Sequence, residues 1–213
     1  MAVIAHEMAS IAYGRGVTPQ ARQVHLERFG CVEWSEEALS AVVKAGEKRG
    51  VVEMGAGNGQ WSRALRSRGC DVYSFDDMSA LPLSLSLYHK RTKPNADHFD
   101  QELRKADESL FTDEEAYPGA AHVLRGRALL LVFPDPGPMA LRTLEAWKSM
   151  GPSCDTFVYV GEGRGGCNAD AALFDELEGD EWELGEVVPL KSFGGKGFEK
   201  LFVWKRRTKS EQQ

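Results

Sequence analysis

The stretch Val51-Val-Glu-Met-Gly-Ala-Gly-Asn-Gly-Gln-Trp-Ser-Arg-Ala-Leu-Arg-Ser-Arg-Gly-Cys-Asp-Val-Tyr-Ser-Phe-Asp-Asp77 decides the fold. Val51 and Val52 open a short β-branched strand. Gly55, Gly57 and Gly59 then permit a tight turn whose backbone can approach a ligand, and Trp61, Ala64 and Leu65 follow at helical spacing. Gly69 ends that helix, and residues 71 to 75 form a second apolar strand that closes on Asp76. In a parallel βαβ unit the two strands lie side by side, so Glu53 and Asp76 are expected at one edge of the sheet, facing the glycine turn. That placement suits a nucleoside whose ribose hydroxyls are held by Asp76.

The spacing narrows the choice of nucleoside. A dinucleotide turn reads Gly-x-Gly-x-x-Gly, because a pyrophosphate must sit on the helix N-terminus. Here the turn is Gly55-Ala56-Gly57-Asn58-Gly59, with a carboxylate two residues before it. An acid there repels a diphosphate and attracts a cationic group such as the ammonium of an amino acid. These residues resemble motif I of the class I S-adenosylmethionine (SAM) dependent methyltransferases, Glu/Asp-x-Gly-x-Gly-x-Gly, with a ribose-binding acid after the second strand. The resemblance implies SAM as cofactor. It also implies a cofactor site made of Glu53, Gly55, Ala56, Gly57, Asn58, Gly59, Asp76 and Asp77, with Asp107 after the third strand and Phe133 and Pro134 after the fourth.

Working outward, Ser35 reads as an N-cap, with Glu36 and Glu37 in the first turn and Ala38, Leu39, Val42 and Val43 as the apolar stripe of a helix ending near Gly46. Residues 1–34 read as one or two short helices forming a cap over the sheet edge. Residues 78–95, with the basic cluster His89 to Lys93, read as an irregular loop, the cluster more as a solvated face than as a phosphate contact. A third strand falls within residues 99–106, and residues 112–120 read as an acidic loop ending in a Pro118-Gly119 turn. The run Arg127-Ala-Leu-Leu-Leu-Val-Phe133 reads as the continuous apolar stretch that a strand buried on both faces requires, the central fourth strand. A helix carrying Ala140, Leu144 and Trp147 follows. A fifth strand runs from Thr156 to Val160, then a second glycine-rich loop from Gly161 to Gly166, then a helix with Leu173, Phe174 and Leu177. Residues 182–190 and 201–204 close the chain as an antiparallel hairpin. The expected fold is therefore α/β: a single Rossmann-like methyltransferase domain over residues 35–206, with a mostly parallel seven-stranded sheet, a C-terminal antiparallel hairpin and helices on both faces. Residues 207–213 are expected to be a polar tail.

Methyl transfer from a sulfonium is an in-line displacement, so a methyltransferase must aim the acceptor and, where needed, take its proton. The loop after the fourth strand lies beside the methyl in the family. Here it reads Phe133-Pro134-Asp135-Pro136, where amino-methylating members have Asp/Asn-Pro-Pro-Tyr. The prolines stiffen the loop and are expected to leave backbone carbonyls free for an amine. Asp135 either orients and deprotonates the acceptor or merely caps its own turn. Over residues 30–205 the chain also resembles a little-characterised group of class I methyltransferase-like proteins, through Pro138-Met139-Ala140 and through Tyr159-Val-Gly-Glu-Gly-Arg-Gly-Gly-Cys167. In that second loop Glu162 is the acid expected to point into the pocket, its alternative being a solvated carboxylate. Asp107 is expected near the adenine amino group, with Glu108 as its competitor. Trp34 and Trp61 read as core, and no histidine is assigned to catalysis.

The 213 residues carry a formal charge of −6, and their acids are spread rather than gathered in a tail. Such a surface disfavours nucleic acid and points to a small-molecule acceptor, with an RNA or protein N-methyltransferase or an inactive SAM-binding protein as the alternatives. Cys31, Cys70, Cys154 and Cys167 show neither metal-ligand nor disulfide spacing, so no metal site is expected and a reducing, cytoplasmic setting is. No apolar run predicts a membrane span or a secretory signal.

Overall fold

The structure, a computed structural model, describes Gly14 and residues 16–78, 100–195 and 197–207. Among these residues seven strands form one sheet: β1 (Val51–Met54), β2 (Val72–Asp76), β3 (Arg104–Lys105), β4 (Ala128–Val132), β5 (Thr156–Gly161), β6 (Trp182–Pro189) and β7 (Lys200–Arg206). Their order is β3-β2-β1-β4-β5-β7-β6. All neighbours are parallel up to β5, and β7 then runs antiparallel between β5 and β6. Strand order reverses between β1 and β4, the crevice where sheets of this kind bind ligands at the carboxyl ends of their strands.

Helices α1 (Pro19–Phe29), α2 (Glu36–Ala45), α3 (Gln60–Arg66), α4 (Ala120–Leu124), α5 (Met139–Ser149) and α6 (Ala171–Leu177) surround the sheet. The two-residue period of a strand sorts the core into two layers. Val52, Met54, Leu129, Leu131, Phe157 and Tyr159 pack against Leu144 and Trp147 of α5 and Leu173, Phe174 and Leu177 of α6. The alternate residues Val51, Leu130, Val158 and Val160 face Leu39 and Val42 of α2 and Trp61 and Leu65 of α3. Because β4 feeds both layers, its sequence is apolar without interruption. The same alternation sends Glu53 and Ser74, which are in register, toward α3 rather than α5.

Ser35 caps α2 as expected, and α1 has a cap that was not expected. Ser35 accepts the Ala38 amide at 3.1 Å, and Thr18 caps α1 by accepting that of Ala21 at 3.0 Å. α1 lies within residues 1–34, where one or two short helices were expected. Trp61 is core, 2% exposed, with its indole N–H donated to the Val32 carbonyl. The third strand lies within its expected span as Arg104–Lys105, and residues 112–119 form turns, Pro118-Gly119 among them, that lead into α4; the 3₁₀ turn at Glu108–Phe111 and α4 itself were not expected. These elements are too short for a hydrophobic period to show, and burial of Leu110, Phe111 and Leu124 in the α5-side layer stabilises them instead. The loop read over residues 78–95, with its basic cluster, falls almost wholly outside the described residues.

Leu131 is fully buried at the centre of the sheet. Leu131→Ala should cost about 2–5 kcal/mol, seen as a lower denaturation midpoint with an unchanged slope. A loss under about 1 kcal/mol would show that the centre of this core is not packed as described.

Candidate functional site

The site is built where β1 and β2 end. Gly55, Gly57 and Gly59 all have left-handed backbones, with φ of 67°, 58° and 75°. At Gly59 a side chain is also excluded by space, since a Cβ there would lie 2.4 Å from Cβ of Asp100, while one on Gly55 would press on the Met139 terminal methyl at 3.1 Å. The turn is fixed from the neighbouring strand. One Asp76 oxygen accepts the Gly57 amide at 2.8 Å, the other accepts that of Met78 at 2.7 Å, and the Ala56 amide is donated to the Phe75 carbonyl at 3.0 Å. Asp76 is 9% exposed. Burial raises its carboxyl, the two amides pull it back, and the charges of Asp77 and Asp135 push it up again.

Glu53 lies deeper than the sequence suggests. It is 1% exposed and accepts a short hydrogen bond from the Ser62 hydroxyl on α3. It supports the turn from beneath and is shut away from the open edge where an ammonium would sit. Burial pushes its carboxyl up to about 7, against the opposing Ser62 bond and the nearby Arg66 charge.

Sequence reading missed two residues of this substructure, Arg66 and Asp100. Arg66 donates to the Val72 carbonyl at 2.9 and 3.1 Å, to Ser74 Oγ at 2.9 Å and, in a short ion pair, to Asp100. Asp100 is 8% exposed, and its amide donates to the Asn58 carbonyl at 3.1 Å. Together they clamp the far side of the glycine turn. An arginine at the end of a helix reads as solvated, and Asp100 stands next to a stretch without periodicity, so neither gave a signal. Asn58, inside the turn, is 9% exposed, and its Oδ1 is buried without a partner. Such an oxygen calls for a hydrogen-bond donor from a ligand.

The β4 loop contributes Phe133 with φ of 52°, unusual for an aromatic residue, and Pro134, which is buried. The Pro134 carbonyl, expected to be free for an amine, instead accepts Asn168 Nδ2 at 3.2 Å. Asp135 is exposed and makes no hydrogen bond or ion pair with any described residue, so it does not cap its own turn. Its charge reaches Asp76 across the crevice. It also reaches Cys31 after α1, whose thiol is raised first by burial and further by Asp135, with Arg22 opposing.

Glu162 has a different place from either one expected. Its two oxygens accept the amides of Cys167 at 2.8 Å and Phe198 at 3.2 Å, bonds that hold its carboxyl below the usual range. Asp107 is exposed and caps the 3₁₀ turn through Ser109, which lowers its carboxyl, and Glu108 pairs with Arg142 at 2.7 Å. Asp107 does follow β3, and the adjacent Ala106 amide is donated to the Asp76 carbonyl at 3.0 Å, so it stands beside the same edge.

α1 and the β6–β7 loop meet over this side of the sheet. Gln60 ties α3 to the Leu26 carbonyl of α1 at 2.9 Å. His25 stacks 4.5 Å from Phe193, and the Arg22 guanidinium lies 5.0 Å from the same ring. Burial, with the Arg22 charge, lowers His25 to about 4 and keeps it neutral. The basic Lys205-Arg206-Arg207 run lies at the opposite, amino edge, where Lys205 donates to Thr156 at 2.5 Å and Arg206 pairs with Glu181 at 2.6 Å. Open cavities of about 910 and 540 Å³, both lined by Lys44, Glu47, Lys48 and Arg49, are also at that edge. Among the described residues no group of His, Cys, Asp and Glu is placed to hold a metal ion, no helix is long and apolar enough to cross a membrane, and the four cysteines are free.

No protein-family model and no curated protein sequence matches the chain. Among solved structures it is similar to the mitomycin 7-O-methyltransferase MmcR, at 13% identity over 89% of this chain and 58% of that one, with a TM-score of 0.50. It is also similar to the magnesium protoporphyrin IX methyltransferase of Synechocystis PCC 6803 with bound SAM, at 12% identity over 96% of each chain and a TM-score of 0.49. A third is the Pyrococcus abyssi tRNA (uracil-54, C5)-methyltransferase in complex with S-adenosyl-L-homocysteine, at 14% identity over 79% of this chain and a TM-score of 0.45. The chain spans 37% of that tRNA enzyme's length. At such identities a likeness concerns the fold alone. The likeness to MmcR, together with the strand order, gives this chain the class I methyltransferase fold.

Glu53 yields a pH prediction. The folded chain holds the Glu53 proton to about pH 7, whereas an unfolded chain releases it near the ordinary 4.5. Stability contributed by this group therefore declines as pH rises from about 4.5 to about 7, by roughly 3 kcal/mol, and is flat above that. Glu53→Gln should remove this decline, so that the stability difference between wild type and variant changes across that window in urea titrations. A constant difference from pH 4.5 to 7.5 would show that Glu53 is not desolvated.

Proposed function

We propose that this chain is a SAM-dependent methyltransferase acting on a small-molecule acceptor. One observation carries the cofactor reading. Three left-handed glycines, pinned by Asp76 and holding the unpartnered Asn58 Oδ1, form a turn at the carboxyl edge of a class I methyltransferase sheet. The residues present fit the group. Gly55, Ala56 and Gly57 give a side-chain-poor cradle for the amino-acid portion, and Asn58 offers it an acceptor. Asp76 keeps lone pairs beyond its two amide bonds for ribose hydroxyls, with Asp77 next to it. Asp107 stands beyond β3 for the base, and Phe133 and Pro134 form the wall toward the acceptor. Glu53 acts through the turn it underlies.

Bound SAM supplies an electrophilic methyl group on a positively charged sulfur. The chain's own task is to hold the acceptor in line and take up its proton. Asp135 is the residue for that proton, being an unengaged carboxylate on a proline-stiffened loop within electrostatic reach of Asp76. Glu162 is spent on the amides of Cys167 and Phe198 and serves the loop rather than the proton.

Charge supports a small acceptor. Asp76, Asp77, Asp107 and Asp135 gather at the carboxyl edge, while Lys44, Lys48, Arg49 and Lys205 line the opposite edge. A phosphate backbone drawn to those bases would lie far from Asp135. A cytoplasmic location belongs to the same proposal.

Asp76→Ala should weaken S-adenosylhomocysteine binding roughly tenfold to a hundredfold in titration calorimetry, as expected for a lost charged hydrogen bond. Unchanged affinity in the folded variant, or a preference for NAD, would overturn the cofactor assignment. Radiolabelled methyl from SAM should pass to a component of a low-mass metabolite fraction. Asp135→Asn should lower that turnover by about 10²-fold while S-adenosylhomocysteine affinity stays within about twofold. Transfer to total RNA instead, with micromolar RNA binding that weakens steeply with salt, would replace the small-molecule reading by the nucleic-acid one.

A further inference from the structure

We propose that Asn168 is a positioning residue whose side-chain amide locks the Asp135 loop to the loop after β5 and, through Glu162, to the β6–β7 loop. The inference deepens the methyl-transfer reading, and only its turnover arm rests on that reading.

Main-chain pairing between β4 and β5 ends at Val132 and Val160, and the Phe133 amide adds one more bond to the Val160 carbonyl at 2.7 Å. The next residue is Pro134, which has no N–H and offers the neighbouring chain only a carbonyl. Asn168 fills the gap. Its Nδ2 donates to the Pro134 carbonyl at 3.2 Å and its Oδ1 accepts the Glu162 amide at 3.1 Å. A primary amide can donate to one strand extension and accept from the other, as a backbone peptide would. Asn168 is 2% exposed, so neither bond competes with bulk water.

The connection continues. The Glu162 carbonyl accepts the Tyr159 hydroxyl at 2.8 Å, and its carboxylate holds the Cys167 and Phe198 amides. On the other side the Gly137 amide is donated to the Ala169 carbonyl at 3.4 Å. Asp135 is thus held between two cross-loop contacts, at Pro134 and at Gly137. Two further features mark this as a built arrangement. Phe133 and Ala169, one in each loop, are both in left-handed conformations, with φ of 52° and 55°, which persist only where their surroundings fix them. Gly161 makes the room: a Cβ there would lie 3.0 Å from Asn168 Oδ1 and 2.8 Å from the Tyr159 hydroxyl oxygen.

Asn168→Asp tests this. The variant is nearly isosteric and keeps an oxygen for the Glu162 amide, but it sets an oxygen against the Pro134 carbonyl. Residue-resolved amide hydrogen exchange should show the Phe133 and Gly137 amides accelerated roughly tenfold, with the Leu130 amide unchanged. S-adenosylhomocysteine affinity should stay within about twofold, while kcat in the transfer assay falls about tenfold to a hundredfold at similar KM. Glu162→Ala, on a partly exposed side chain, is the second variant. It should speed exchange at Cys167 and Phe198 and, through Asn168, at Gly137. Loop amides as protected as in the wild type in both variants would overturn the proposal, as would a loss of protection spread evenly through β4 including Leu130. A wild-type protein that binds S-adenosylhomocysteine but transfers no methyl would count against the functional reading, while the exchange pattern would still decide the lock.

Discussion

The Asp76 carboxylate, accepting the Gly57 amide at 2.8 Å across the end of the sheet, is the constraint on which the site depends. It joins the last residue of β2 to a turn that only glycine can make, so the edge of one strand fixes the backbone leaving the next. Asp76 is nearly buried, and a carboxylate left there without donors would be costly. The turn relieves that cost by presenting an amide. The two features are therefore interdependent: the glycine pattern is needed to bring the Gly57 N–H to Asp76, and Asp76 is needed to hold the left-handed turn of Gly55, Gly57 and Gly59 in place.

Below the turn a second polar layer repeats this logic. Glu53 with Ser62, and Arg66 with Asp100 and Ser74, fill the space between β1, β2 and the length of α3. Apolar residues would fill that space at less cost, since a buried ion pair recovers its desolvation only with good geometry. The polar choice gives direction. Arg66 bonds the Val72 carbonyl, Ser74 and Asp100 together, so the helix, the second strand and the segment returning at Asp100 keep one mutual position. The cost appears at Glu53, the one carboxyl of the layer without a cationic partner, whose burial pushes it up to about 7.

The parts legible in the sequence were those with a period or a forced conformation. Continuous apolar runs gave β4 and β5, and the stripe of Ala38, Leu39 and Val42 gave α2 with Ser35 as its cap. The spacing of Gly55, Gly57 and Gly59 with Glu53 before and Asp76 after gave the central unit. What did not show were contacts between residues distant in sequence. Nothing local marks Arg66 and Asp100 as partners 34 residues apart, or separates an Asn168 that bridges two loops from an asparagine in solvent. Glu162 was expected to point into the pocket, but its partners, Cys167 and Phe198, lie on either side of α6 and β6, so its place follows from topology. Asp135 is the converse case: the sequence left it between base and turn cap, and the absence of a hydrogen bond to its own turn removes the second option.

Three non-glycine residues among those described have left-handed backbones: Met78 after β2, Phe133 after β4 and Ala169 beyond β5. All three fall at the carboxyl edge of the sheet. Each such residue costs on the order of 1–3 kcal/mol, which for a chain of marginal stability is a substantial share of the whole. Strain scattered at random would be selected against. Strain gathered at one edge is what results when loops must take a set shape there rather than their most relaxed one. The bonds that offset it are local to each site: the Met78 amide to Asp76, the Phe133 amide to Val160, and the Ala169 carbonyl to Gly137. The same atoms that shape the glycine turn thus hold one strained residue, and the cross-loop bonds around Asn168 hold the other two. The β1–β2 side and the β4–β5 side of the crevice are in this way stiffened separately, each by polar contacts, while the apolar layers beneath carry the fold.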